Sequence, residues 1–248
     1  MKKHLFRIAE AVRTLTIIPT PYSDTIKPSD SLPYFPIPGL ILGALTALTV
    51  QVVFYFFYWS FGAALAGVLI SVVLTRGLHI DGIADTADGF FGSTKRENRL
   101  AIMKDSRVGV FGVIAIVFTV FSKVLAIEHL VQNDSVFVLI PVFVIARCVM
   151  SCLAVSLPYA RAEGGTGKPY VEGAKKEHAG LSVLLTVLIM LFFTSHLLLP
   201  FVVIGGLLFV TLHFWFMRYF GGITGDLLGT ANEVVEIVLV VMCVAIAV

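Results

Sequence analysis

Apolar residues run almost unbroken through long stretches of the chain, and polar residues gather in the short segments between them. Runs of about 20 nearly uncharged residues are long enough to cross about 30 Å of hydrocarbon as helix. They predict seven spans, at residues 39–58, 61–78, 108–128, 136–157, 180–199, 202–219 and 231–248. Ahead of them, in KKHLFRIAEAVRTLTIIP, Leu5, Ile8, Ala9, Val12 and Leu15 recur at helical spacing with Arg7, Glu10 and Arg13 opposite. That pattern predicts an N-terminal amphipathic helix in the membrane interface, its basic residues acting as an electrostatic anchor. It lacks the uninterrupted apolar core and cleavage site of a signal peptide.

Composition agrees with the pattern. The 248 residues are 58% hydrophobic and 14% charged, with a mean hydropathy of +0.94, well outside the soluble globular range. The expected class is an all-α polytopic membrane protein, with residues 1–248 forming one integral membrane catalytic domain. There are no repeats or low-complexity tracts. Cys148, Cys152 and Cys243 all fall in apolar windows and read as packing residues.

The net charge of +2 says little, but its distribution says more. Lys and Arg crowd residues 1–38, 79–107 and 158–178, while the opposite turns near Trp59, Asp134 and Pro200 contain neither. The positive-inside rule then puts the N-terminus in the cytoplasm and, with seven spans, the C-terminus outside a plasma (inner) membrane. Every polar cluster falls on the cytoplasmic face, as the parts of one active site would.

The densest cluster is HIDGIADTADGFFG, residues 79–92. Asp81, Asp85 and Asp88 stand at i, i+4 and i+7, within an arc of about 60° on a helix. Three carboxylates on one stripe repel unless a cation sits among them. Oxygen-only ligands favour Mg²⁺, then Mn²⁺. The competing reading is a solvated helix end whose aspartates cap backbone amides. Asp105 is either a further ligand brought back by a helical hairpin or a first-turn acid of the next span. His79 orients an aspartate or a phosphate, or is simply interfacial. Gly82, Gly89 and Gly92 make room for a nucleotide or another helix.

Lys104, Arg107, Arg161 and Lys168 are phosphate-binding candidates by charge and geometry, or topology signals alone. Arg147 lies within a span, where an unpaired charge is costly. It faces the cytoplasmic cavity or forms a structural ion pair. Lys123 is expected to snorkel, and Glu236 to point inward with Asn232 one turn before it.

Together, YFPIPGLILG (34–43), LHIDGIADTADGFFG (78–92), IMKDSRVGVFG (102–112), YAR (159–161) and GGITGDLLGTANEVVE (221–236) resemble the cobalamin synthase family, the adenosylcobinamide-GDP ribazoletransferases. The blocks stand in family order over most of the chain. At RTLTIIPTP the match is looser, because Ile17 stands where the family commonly has arginine. The resemblance implies transfer of a phosphocorrinoid group from adenosylcobinamide-GDP to α-ribazole or its 5′-phosphate, with GMP released. A more distant likeness to CDP-alcohol phosphotransferases rests on Asp85, Asp88 and Gly89. There, Gly92 and Ser93 replace an Ala-Arg pair and Gly109 cannot supply a fourth acid.

On this reading Mg²⁺ is held by Asp85, Asp88 and Asp105, with Asp81 a ligand or the base for the attacking hydroxyl. Asp81, Asp226 and Lys104 are the candidate catalytic groups. His79, Arg107, Arg147, Arg161, Lys168, Asn232 and Glu236 are the candidate substrate- and phosphate-binding groups. The expected partners are the corrinoid nucleotide, α-ribazole and the lipid bilayer. No nucleic acid is expected, and a homo-oligomer is left open. The competing functions are a phospholipid head-group transferase and, further off, a secondary transporter. Clustering of the acids at one interface, with no inverted repeat, speaks against the transporter.

Overall fold

A computed structural model of the protein describes residues 2–193 and 198–246. Eleven α-helices are found there: α1 (Lys2–Leu15), α2 (Pro36–Phe57), α3 (Ser60–Leu74), α4 (Leu78–Gly92), α5 (Arg96–Ile102), α6 (Val110–Gln132), α7 (Leu139–Ser156), α8 (Lys168–Glu172), α9 (Lys176–Phe193), α10 (Leu198–Phe220) and α11 (Gly225–Ile246). Six of them, α2, α6, α7, α9, α10 and α11, are long and apolar enough to cross a membrane. The pair α3 and α4 passes the same test only jointly, and is bent by 88° at the break between them. The protein is therefore an all-α polytopic membrane protein with six or seven spans.

Two boundaries differ from the sequence expectation in ways that matter. The second span was expected to run to residue 78 but stops at Leu74. Arg76 and Gly77 adopt left-handed backbone angles, φ 53° and 68°, and no helix continues through two such residues. The aspartate-bearing segment restarts as α4, a helix in its own right. The last span was expected from residue 231 but begins at Gly225, so Asp226 sits in its first turn. The fifth span starts at Lys176 rather than 180, and residues 194–199 of that expectation fall partly outside the described residues, as do residues 247 and 248 of the last.

Helix α7 is buried on nearly every face, wedged among α2, α9, α10 and α11. Its closest neighbour is α2, and the reason is Gly39 and Gly43, one turn apart. A Cβ on Gly39 would lie 2.6 Å from the Phe143 carbonyl oxygen, and one on Gly43 2.8 Å from Ile140 Cα. Small residues at this spacing let two backbones touch inside a membrane, where packing rather than the hydrophobic effect drives association.

Ahead of the spans, α1 follows its amphipathic pattern with Ala9, Ala11, Val12 and Leu15 buried. It is tied to the protein as well. The Ile17 amide donates to the Leu74 carbonyl at 2.8 Å, and Arg7 pairs with Asp30 at 3.0 Å. Leu5, on the expected apolar face, is exposed.

Charges inside the bundle close on one another. Lys123 on α6 reaches Glu233 at 2.6 Å and Glu236 at 2.5 Å on α11, and Arg147 on α7 pairs with Glu236. Asn232 donates to Glu236 at 2.9 Å and to Nδ1 of His79 on α4 at 3.1 Å. Lys123 thus does not snorkel: its ammonium is buried because two carboxylates meet it. Arg147 takes the ion-pair alternative, and its guanidinium is directed at Glu236 rather than at an open cavity. Two cations and two carboxylates lock α6, α7 and α11 together, and His79 attaches α4 to them.

This arrangement sets an expected outcome. Removing one buried partner leaves an uncompensated charge, at about 3–5 kcal/mol. Lys123→Met should lower the melting temperature in detergent by roughly 6–20 °C, at about 2–4 °C per kcal/mol for a chain of this size. The double variant Lys123→Met/Glu233→Gln should recover most of that loss. A double variant as unstable as the single would mean that the charges are not coupled.

Candidate active site

The site is built where α4 crosses α11. At the crossing, a Cβ on Gly82 would stand 2.6 Å from the Asp226 carbonyl oxygen, and one on Gly229 would stand 3.2 Å from His79 Cα. The space left by Gly82 and Gly229 is filled by a neighbouring helix. Thr230 Oγ1 lies 2.9 Å from the Gly82 carbonyl and 2.7 Å from Thr86 Oγ1, bridging the pair. At its far end, α4 is held by Phe90, whose ring lies 5.0 Å from that of Trp215 and 5.2 Å from that of Tyr219. The Arg99 guanidinium stacks 4.8 Å over Phe90 and donates to the Tyr219 carbonyl at 3.2 Å.

The start of α11 is set by the turn GGITG. Gly221 and Gly222 take φ 69° and 149°, and a side chain on Gly222 would collide with the Pro158 carbonyl. That close approach makes a two-residue ladder. Ala160 donates to the Ile223 carbonyl, and Ile223 to the Pro158 carbonyl, each at 2.9 Å. Thr224 then caps α11 through the Leu227 amide at 3.2 Å. The ladder carries the YAR segment to the helix start, where Arg161 donates to Asp226 at 2.7 Å.

Asp81 and Asp85 on α4 meet Asp226 here. Asp85 feels the like charges of Asp81, Asp226 and Asp88, with the Arg161 guanidinium as the opposing charge. Among the described residues, the Arg161 Nε and the Tyr159 hydroxyl are buried without hydrogen-bond partners, both at this site. Burial pushes the Tyr159 phenol above its ordinary value. Three carboxylates face one guanidinium, which leaves the cluster two positive charges short of neutral. A divalent cation or a cationic group of a ligand would relieve it.

The other expected site residues are placed elsewhere. Asp88 accepts from the Gly109 amide at 2.7 Å and the Gly112 amide at 2.8 Å, so both its oxygens cap α6. Capping, the competing reading of the stripe, is what Asp88 does. Asp105 lies between α5 and α6, exposed and paired with Arg107 at 2.6 Å. That hydrogen-bonded partner holds its carboxyl down at about 2. Lys104 pairs with Glu163, which lowers the glutamate's pKa, and both are at the surface. Lys168 pairs with Glu172 at 3.5 Å. His79, Arg147, Asn232 and Glu236 belong to the buried network. Among the described residues, no three His, Cys, Asp or Glu side chains close on a single metal position.

The donor chemistry nonetheless fits Mg²⁺. The oxygens are hard, and this ion is normally held by one or two carboxylates, with water and substrate phosphates completing its shell.

The glycine crossing gives a direct test. Gly82→Ala should force α11 from α4 at a cost of about 1–3 kcal/mol, visible as a lower melting temperature. Gly180→Ala, where a Cβ meets nothing within 4 Å, should leave it unchanged. Equal melting of the two variants would disprove the close crossing.

A model of the family described as cobalamin-5-phosphate synthase matches residues 7–244. Among curated relatives, the adenosylcobinamide-GDP ribazoletransferase of Chlorobium chlorochromatii is 40% identical over 93% of this chain and 92% of its own. The protein of the same name from Chlorobium phaeovibrioides is 38% identical over 93% of each chain. That from Syntrophobacter fumaroxidans is 38% identical over 92% of this chain and 94% of its own. No solved structure matches the chain. On the match over residues 7–244 and on these relatives, the chain belongs to the cobalamin-5-phosphate synthase family.

Proposed function

We propose that the protein transfers the phosphocorrinoid group of adenosylcobinamide-GDP to a hydroxyl of α-ribazole or of α-ribazole 5′-phosphate. The products are adenosylcobalamin or its 5′-phosphate, and GMP. The relatives' shared name supports the substrates. The observation that carries the chemistry is the meeting of Asp81, Asp85 and Asp226 beside Arg161 at one end of the bundle. The crowding of Lys and Arg into the loops at this end supports a site on the cytoplasmic face of a plasma membrane, with the C-terminus outside.

The transfer makes one bond and breaks one. The ribazole hydroxyl oxygen bonds to the phosphorus next to the cobinamide, and the bond from that phosphorus to the pyrophosphate bridging oxygen breaks. GMP leaves with the electron pair, and the hydroxyl proton passes to the Asp81 carboxylate. Arg161 binds the pyrophosphate oxygens and opposes the charge gathering on the leaving phosphate. Asp226 holds Arg161 in place while it is unliganded. Asp85 and Asp226 would hold Mg²⁺, with Mn²⁺ as substitute. When bound, the ion neutralises phosphoryl oxygens and the leaving group. Holding both substrates against one helix crossing turns a bimolecular encounter into an aligned one.

Purified protein should release GMP from adenosylcobinamide-GDP with α-ribazole and show no turnover with CDP-diacylglycerol; the reverse result would make it a lipid head-group transferase. EDTA should stop the reaction and Mg²⁺ restore it. Asp85→Asn should lower turnover at least about 100-fold at any Mg²⁺ concentration. Asp88→Asn, which keeps one acceptor for α6, should chiefly lower stability, by about 1 kcal/mol. Normal turnover in Asp85→Asn would remove that residue from the site.

A further inference from the structure

Asp81 also borders a cavity of about 550 Å³ on the side of α4 facing α1, α3 and α6. Its walls include Arg13, at the end of α1, and Arg76, at the break between α3 and α4. The volume is that of a small-ligand site. Arg76 is an unusual residue to find there. Its φ of 53° belongs to a backbone region that L side chains rarely occupy, and such strain persists where the surroundings over-determine it. Among the described residues, its guanidinium makes no ion pair or hydrogen bond.

The cavity has a third positive element. Gly77 and Leu78, at the start of α4, line it, and that 15-residue helix begins with no side-chain cap. The Gly77 and Leu78 amides donate to the Val72 and Thr75 carbonyls, so what this helix start offers the cavity is the positive end of the helix dipole. Two guanidinium groups and a helix N-terminus around one cavity match a phosphate dianion, which guanidinium binds through paired hydrogen bonds.

The geometry points to this cavity as the subsite for the phosphomonoester of the acceptor, with Arg76 as the residue that selects phosphorylated over free α-ribazole. This assignment rests on the transfer reaction proposed above. Arg161, which takes the pyrophosphate in that reaction, is bound to α11 through Asp226. Asp81, which takes the proton of the attacking hydroxyl, lines the cavity. The molecule inside is therefore the one that carries the hydroxyl. Arg13 is already engaged, pairing with Glu10 and stacking 4.3 Å over Tyr22. Arg76 is the freer hand.

A phospholipid head group offers the same phosphate chemistry to a cavity near the membrane surface, and the test separates the two. Arg76→Gly removes the guanidinium and relieves the positive φ, so the variant should fold at least as well as the parent. Full-length protein in phosphatidylcholine nanodiscs would be assayed with both acceptors. Arg76→Gly should reduce the preference in kcat/KM for α-ribazole 5′-phosphate over α-ribazole by about 10- to 100-fold. Arg76→Lys should recover part of it. An equal loss with both acceptors, or an unchanged preference, would overturn the assignment. So would an Arg76→Gly defect that appears only when phosphatidylglycerol is added, since a head group would then be the ligand. Equilibrium binding of α-ribazole 5′-phosphate, measured without the donor, separates the cavity from the reaction. Binding that weakens in Arg76→Gly upholds the subsite even if the parent protein releases no GMP. Binding of equal strength in the two proteins overturns the subsite even if GMP is released.

Discussion

Charge cannot stand unpaired in a hydrocarbon-facing bundle, and this constraint organises the molecule. Lys123, Arg147, Glu233 and Glu236 would each be prohibitive alone among apolar helices. Together they form a neutral set buried between α6, α7 and α11. Because the partners come from three helices, the set works only in one mutual arrangement of those helices. Asn232 extends it to His79, and so to the first turn of α4. The depth and rotation of the aspartate helix are thus tied to ion pairs in the middle of the bundle.

A second constraint, steric, acts at the bundle's end. The crossing of α4 over α11 requires that residues 82 and 229 carry no side chain. Once the backbones touch, Asp81 and Asp85 come near enough to Asp226 for the three to feel one another's charge. The repulsion among them is opposed by Arg161, brought in by the backbone ladder between Ile223 and residues 158–160. An imbalance of charge left at a crevice is a binding property: it favours a cation and, through that cation, the phosphates it binds. The charges of the interior network balance one another, although His79 Nε2, Arg147 Nε and Asn232 Oδ1 find no partner among the described residues. The charges at this end do not balance, and that contrast separates scaffold from site.

Much of this is legible in the chain. Six of the seven expected spans correspond to helices long enough to cross a membrane, because lipid demands long uninterrupted apolar helices and leaves a plain record of them. The helical spacing of Asp81, Asp85 and Asp88 is also readable, and the three do share one helix. Their fates diverge because different elements meet different ends of it. Asp81 and Asp85 share the charge cluster with Asp226, and Asp81 also borders the cavity beside Arg76, while Asp88 meets the amides that open α6. Nothing in the motif distinguishes a carboxylate awaiting a ligand from one already satisfied by backbone N–H groups.

What the sequence determined by itself was the membrane class, the helical spans, the gathering of polar motifs at one end and the family to which they belong. Each of these follows from local composition, periodicity or contiguous motifs. The tertiary structure alone decided which charges neutralise each other, which carboxylates converge, and which cations border a cavity. Those outcomes depend on contacts between residues as far apart as Lys123 and Glu236, or Asp81 and Asp226. They also depend on a left-handed turn at Arg76 that swings α4 through 88°. Pairing is a property of two positions brought together in space, and it is set by how the helices pack.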